Sequence, residues 1–291
     1  MRTGDCRQKF GTIVSMEERE SSAREYVLGH RAPEIARLDA QSRRIEPATR
    51  LLLRASGIGP GMRALDLGTG LGHVARLISE MVGPNGTVVG IDQSPDALAE
   101  AQRRAGDDRR ISFVQGDVTS WRDDEPFDVV VGRLLLFHVT DPVQVVRHHI
   151  DGLRAGGLFV AIDYDLGTAR TEPPVVIADE ALRWIVAAFT AAGAWPRIGA
   201  RLGTTLEEAG LNEVTTFGVQ GYLPPGNPAA APLIADVVRT LTDAIVAHRI
   251  ATREQIGVET LESRIAEGLS RANAVLLPPA IVGAWGRRPT A

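Results

Sequence analysis

The sequence predicts an α/β fold built on a doubly wound, mostly parallel sheet, and three features carry that prediction. First, Ala64, Leu65 and Leu67 form a short apolar run that passes directly into D-L-G-T-G-L-G, with glycines at 68, 70 and 72; a helical pattern at Val74, Leu77, Ile78 and Met81 follows. Second, short apolar runs alternate with helix-start signals as far as residue 165, the rhythm of right-handed βαβ crossovers. Third, Asp92, Asp117, Arg133 and Asp163 each fall at the carboxyl end of such a run, the edge where open α/β sheets hold their ligands.

Taken in order, residues 1–20 are polar and aperiodic and are expected to be disordered, with Met16 a candidate start. Residues 21–58 read as a helical cap: Ile35, Leu38 and Ile45 mark a helix begun near Pro33, and Pro47 is expected to open a second, closed by Gly57. The core is placed at 59–165. Its first strand (64–67) and helix (71–82) end at the turn G-P-N-G, and T-V-V-G-I (87–91) leads to Asp92. Ser94-Pro95 reads as an N-cap with proline at the first helical position, opening a helix to about 105. I-S-F-V (111–114) leads to Gly116-Asp117, and F-D-V-V-V-G (127–132) has the near-continuous apolar character of a buried parallel strand. Asp141-Pro142 starts another helix, and R-A-G-G is expected to turn into L-F-V-A-I at 158–162. From 166 to 291 the rhythm loosens. Helical insertions at about 166–196 and 228–271 surround a helix at 201–210 and a strand at 213–219, and a last strand lies near 280–285.

Composition narrows the function classes. The chain has 291 residues, 44% hydrophobic and 23% charged, with a net charge of −4. No Lys/Arg cluster is interleaved with aromatics, which argues against a nucleic-acid partner. The single cysteine, Cys6, rules out an internal disulfide framework and a multi-cysteine metal site. No uninterrupted apolar run reaches the roughly 18 residues of a membrane span, and the N-terminus is too polar for a signal peptide. A cytoplasmic protein, monomeric or homodimeric, without membrane, nucleic acid or metal, is therefore expected.

The glycine bend lets a ligand touch bare backbone. The helix behind it offers unpaired N–H groups and a partial positive charge, so an anionic or hydrogen-bond-accepting ligand belongs there. Two ligands compete. The dinucleotide pattern G-x-G-x-x-G fits only when counted from Gly70 through Gly72 to Ala75; counted from Gly68, its third glycine falls on His73. Asp92 suits that pattern as well, but an acid after the third strand, Asp117, is no part of it.

The string D-L-G-T-G-L-G, with the later segments in the same order, resembles motif I and its successors in class I S-adenosylmethionine (SAM)-dependent methyltransferases. The resemblance covers roughly residues 60–165 and, more loosely, the last two strands. It implies a seven-stranded, mostly parallel sheet with an antiparallel last strand, a helical N-terminal preface over the cofactor, and insertions that shape an acceptor pocket. SAM is the implied cofactor. The backbone of Gly68, Thr69 and Gly70 then approaches the methionyl moiety, and Asp66 meets its ammonium directly or through water. Asp92 accepts from the ribose hydroxyls with Gln93 beside the adenosine, while Asp117 accepts from the adenine amino group and Val118 offers its N–H to the ring. Arg133, in G-R-L-L-L-F-H-V-T-D-P, pairs with the SAM carboxylate, and Tyr26 and His30 of the preface supply an aromatic or imidazole contact. Asp66 and Asp117 also suit turn or cap positions, Arg133 a surface ion pair, and Tyr26 and His30 simple packing.

Methyl transfer needs a base only when the acceptor holds a proton of high pKa. Candidates are His138, His30, Asp163 and Tyr164, with His138 preferred because an imidazole takes a proton near neutral pH. Asp163-Tyr164-Asp165 stands where the metal-assisted catechol-type enzymes carry Asp-Asn, and Gly132-Arg133-Leu134-Leu135 replaces the Asn-Pro-Pro-Tyr of amino-group methylases. The expected activity is methylation of an N, O or C atom of a small molecule. Trp184, Phe189, Trp195 and Tyr222 hint at an aromatic, indole-like secondary metabolite. An NAD(P)-dependent oxidoreductase and a non-catalytic SAM-binding protein are the alternatives.

Overall fold

The computed structural model describes residues 32–290, so Tyr26, His30 and the tail at 1–20 lie outside the described residues. The described chain opens with one helix, α1 (Ala32–Ala55), where two were expected. Pro47 lies inside it rather than starting a second. Its ring is exposed, as is Arg43, the residue whose carbonyl receives no N–H from Pro47, so the break falls on the solvent side and the helix continues.

The alternating elements follow: β1 (Arg63–Leu67), α2 (His73–Val82), β2 (Thr87–Asp92), α3 (Pro95–Ala105), β3 (Ile111–Gln115), β4 (Phe127–Arg133), α4 (Pro142–Ile150) and β5 (Leu153–Asp165). The two Pro-led helices are capped as their sequences require, Ala97 N donating to Ser94 Oγ at 3.2 Å and Gln144 N to Asp141 Oδ1 at 3.0 Å. β5 begins at Leu153, not 158; R-A-G-G is absorbed into the strand, where the register against β4 shifts. Beyond it come β6 (Arg170–Glu172), α5 (Val176–Ala191), α6 (Leu202–Ala209), β7 (Asn212–Val219), α7 (Ala230–Ala247), α8 (Arg253–Ile256), α9 (Val258–Ala272), β8 (Val275–Leu277) and β9 (Ala280–Arg287).

Seven strands form one sheet in the order β3-β2-β1-β4-β5-β9-β7. The pairs from β3 through β5 are parallel, and β9 runs antiparallel to both β5 and β7. The order reverses between β1 and β4, which opens a crevice beyond their carboxyl ends. Side-chain alternation builds a core on each face. Leu65, Leu67, Phe159 and Ala161 pack with α4 and α6. Ala64, Leu158, Val160 and Ile162 pack with Leu52 and Leu53 of α1 and with Val74, Leu77 and Ile78 of α2. The insertions make a third cluster, in which α5, α7 and α9 pack together with Leu276 of β8. The small antiparallel sheet of β6 and β8 ties the start of that unit to its end. No helix among the described residues is long and apolar enough to cross a membrane.

Candidate active site

At the carboxyl end of β1 the chain enters the glycine bend with positive φ at Gly68 (63°), Gly70 (52°) and Gly72 (75°). A Cβ on Gly72 would stand 3.1 Å from Ala101 Cβ and from Phe113 Cζ, so the turn can lie against α3 and β3 only without a side chain there. Thr69 N donates to Ile91 O at 2.9 Å, which ties the bend to β2. Asp66 lies beneath this bend rather than on the cavity wall. Its carboxylate accepts from Thr69 Oγ1 at 2.6 Å and from the backbone of Ala75, and it is 1% exposed. Burial pushes its pKa up to about 7, against the pull of the Thr69 hydroxyl and the Arg133 charge. Asp66 thus braces the turn from beneath.

The next two strand ends bring up the other carboxylates. Asp92 accepts from Gly70 N and from Ser94 N, both at 2.9 Å, so it fixes the bend and the start of α3 together. Asp117 accepts from Thr119 N at 2.8 Å and Thr119 Oγ1 at 2.7 Å, and the residue stays exposed. Beside it the Val118 carbonyl accepts from His149 Nε2 at 2.7 Å. Burial holds His149 well below the usual histidine range, at about 4, so it is a neutral structural donor.

The segment after β4 is held under strain. Leu134 has φ 54°, left-handed backbone that a branched residue seldom adopts. Two anchors keep it there: Leu134 N donates to Ile162 O at 2.7 Å, and Leu136 N donates to Asp163 Oδ2 at 3.0 Å. The backbones of Leu135 and Phe137 also turn toward the Asp163 carboxyl. That carboxyl is fully buried, its Oδ1 has no hydrogen-bond partner, and burial pushes its pKa up to about 8. Asp163 lies off the cavity wall. The structure makes it the post behind this loop, which corrects its place among the candidate bases.

Arg133 is the counterpart. Nη2 donates to Ser42 Oγ of α1 at 3.2 Å, whereas Nη1 is buried with no hydrogen-bond partner. Burial lowers its pKa, opposed by the charges of Asp66 and Tyr164. An unmatched cationic donor in a buried position is costly unless an acceptor joins it.

These groups open on one cavity of about 1420 Å³. Gly68, Thr69, Gly70, Asp92, Gln93, Asp117, Val118 and Arg133 all line it, as do His138 and Tyr164. His138 is exposed, with its ring 4.7 Å from that of Phe137. Of the aromatics in the insertions, Phe189 faces the cavity, while Trp184, Trp195 and Tyr222 are not on its wall. Trp195 instead donates from Nε1 to Val139 O at 3.1 Å. The glycine cradle, the paired strand-end carboxylates and the unpartnered guanidinium nitrogen fit a ligand that carries both hydroxyl or amino donors and a carboxylate, as SAM does.

One site residue escaped the sequence reading. His73, on the cavity wall, has Nε2 2.9 Å from Asp39 Oδ1 on α1, and Arg104 Nη2 of α3 donates to Asp39 Oδ2 at 3.0 Å. This cluster fastens α1 across the bend. Its signal was visible as the histidine standing where a dinucleotide fold has its third glycine.

The comparisons with known proteins agree with this geometry. The methyltransferase domain family matches residues 58–210, more than half of the chain. Over 98 residues the chain is 36% identical to the trans-aconitate 2-methyltransferase of Streptomyces avermitilis, covering 33% of this chain and 36% of that protein. Over 175 residues it is 29% identical to that of Methylobacterium radiotolerans, covering 58% and 61%. The matched stretches therefore span between about a third and three-fifths of those relatives. Haemonchus contortus phosphoethanolamine N-methyltransferase 2, solved with phosphomonomethylethanolamine and S-adenosylhomocysteine, shares the fold with a TM-score of 0.52. The identity is 17%, over 84% of this chain and 53% of that one. The bend, both strand-end carboxylates and Arg133 all lie inside the matched region, and the nicotinamide alternative falls away: the chain belongs to the methyltransferase domain family.

Proposed function

We propose that this protein transfers a methyl group from SAM to an N, O or C atom of a small-molecule acceptor. The observation that carries the reading is one continuous cavity that runs from the glycine bend, past an unpartnered Arg133 nitrogen, to a wall built by the insertions. When bound, SAM supplies a methyl carbon activated by a sulfonium. The protein's share is to hold and to align. Backbone at Gly68 to Gly70 lies against the methionyl group, Arg133 Nη1 pairs with its carboxylate, Asp92 accepts from the ribose and Asp117 from the adenine amino group, with the Val118 N–H on the ring.

Alignment of acceptor and methyl can by itself supply roughly 7–11 kcal/mol of barrier lowering. Where the acceptor atom holds a proton, His138 takes it, with Tyr164, near the carboxyl end of β5, the second ionisable group. Both lie on the cavity wall. The unit formed by α5, α7 and α9 acts as the acceptor cap and keeps water from the reacting atoms. The acceptor in the relatives' names, trans-aconitate, is a tricarboxylate. The cavity wall built by the insertions carries no Lys, Arg or His to meet such a charge.

Titration calorimetry with SAM, S-adenosylhomocysteine and NADH tests the binding half, with the first two expected to bind and NADH not. Methyl-labelled SAM with a panel of acceptors tests the transfer. Tight S-adenosylhomocysteine binding without transfer to any acceptor would identify a SAM-binding protein that is not an enzyme. Binding of NADH alone would overturn the proposal.

A further inference from the structure

We infer that the acceptor is a neutral, predominantly apolar molecule, seated in a chamber between α5, α7 and the β8–β9 segment. The inference rests on the methyltransferase reading for the word acceptor, but the chamber itself is a fact of the fold. A single drug-sized ligand needs roughly 300–1,000 Å³. The cavity measures about 1420 Å³, so it holds a second molecule beside the one at the glycine bend.

Charge decides which second molecule. The basic side chains on the wall are Arg44, His73, Arg133 and His138, all from the part of the chain that builds the bend, α1 and the post-β4 loop. From residue 166 onward the wall has no Lys, Arg or His, and its one ionisable group is Asp236. Asp236 is exposed and already ion-paired with Arg239. Nearby, Asn227 Oδ1 accepts from Ala229 N at 2.9 Å, and Thr240 Oγ1 commits its proton to Asp236 O at 3.0 Å. A carboxylate pressed against this wall would lose its hydration with no cation to replace it.

What the wall does offer is aliphatic surface. Leu182, Val186 and Phe189 of α5 and Leu233 and Val237 of α7 line the chamber. Each is half-buried, whereas Ile185 and Ala188 of α5 and Ile234, Val238, Leu241 and Ile245 of α7 are fully buried in the cap cluster. Large side chains left facing a cavity in an otherwise closed core are surface that a ligand covers.

The test uses the full chain loaded with S-adenosylhomocysteine and probes it by calorimetry with 1-hexanol, 1-octanol, 1-decanol and trans-aconitate. Affinity for the alkanols is expected to rise about fourfold per methylene, equivalent to about 0.8 kcal/mol, with trans-aconitate unbound. Val186→Trp, which fills the chamber, and Val237→Asp, which charges it, should each weaken 1-decanol at least tenfold while leaving S-adenosylhomocysteine affinity unchanged. A flat alkanol series overturns the inference without any variant having to fold, and so does tighter binding of trans-aconitate than of 1-decanol. If the alkanol series holds but S-adenosylhomocysteine fails to bind, the chamber stands and the methyltransferase reading falls.

Discussion

Replacing Asp163 with asparagine tests the account of the loop that follows β4. The wild-type carboxyl is fully buried and is pushed to about 8, against 3.8 for an ordinary aspartate. Between these two values the folded protein keeps a proton that the unfolded chain releases, so stability must fall as pH rises through this window and level off above pH 8. Each pH unit is worth about 1.4 kcal/mol once the two states differ by a full proton. Integrated from pH 5 to 8, with bending near each end, Asp163 accounts for a loss of about 3–4 kcal/mol. Asp163→Asn keeps an oxygen for the Leu136 N–H, 3.0 Å away in the wild type, but has nothing to titrate. Asp66, raised to about 7, slopes the same way and stays in both proteins, so it cancels from the difference. Urea unfolding at pH 5, 6, 7 and 8 should therefore show the variant gaining on the wild type by about 1 kcal/mol per unit. Parallel curves would mean that Asp163 is ionised in the folded protein and that the loop is held by a charged post, contrary to the argument above.

Other expectations follow from the same site. Arg133→Met should weaken S-adenosylhomocysteine binding by about 10- to 100-fold, yet leave urea stability equal or higher because a buried, unmatched guanidinium is gone; an equal fall in both would show a structural role only. Asp92→Ala with Asp117→Ala should abolish measurable SAM binding in calorimetry, whereas retention of parental affinity would remove the basis for the cofactor assignment. Gly72→Ala should lower unfolding stability by about 1–3 kcal/mol, since its φ of 75° is unfavourable to alanine and the new methyl meets Ala101 and Phe113; an unchanged Tm would refute the tight packing of the bend. Once an acceptor is in hand, His138→Gln should cut kcat by about 100- to 10,000-fold with KM little changed, and an unaltered kcat would route the proton elsewhere.

The parts of the fold set by local chemistry were legible. Ser94-Pro95 and Asp141-Pro142 open helices where the caps and fixed proline φ require them, and the apolar runs before Asp92, Asp117 and Arg133 are strands, ending at Asp92 and Arg133 themselves and, for β3, two residues before Asp117. What depended on surroundings was not. Pro47 is locally a helix start, and only its exposure lets one helix run through it. R-A-G-G is locally a turn, but Leu153 before it and Leu158 after it both pair with β4, so it lies inside β5 as an irregularity of register. β6 and β8 are three residues each, too short for any periodicity, and exist because distant segments meet. At the site, residue type and position at a strand end placed Asp92, Asp117 and Arg133 on one cavity. Nothing in the same pattern distinguishes them from Asp66 and Asp163, which face inward and serve the backbone. Nor could the sequence show that α5 and α7 turn aliphatic faces toward that cavity, since the two helices are far apart in the chain.

The place of β9 between β5 and β7 also shapes how the molecule is born. β7 joins the sheet through β9 alone, so it is made and then waits, with an unsatisfied edge, while all of α7, α8 and α9 emerge. The half that carries the glycine bend, by contrast, has every strand it needs before β5 is finished. A nascent chain stopped just before residue 280 should thus carry a finished cradle beside two raw strand edges, and should scatter light as it clumps. If such a chain stayed monodisperse, sealing by the last strand would matter far less to its solubility than the pairing order suggests.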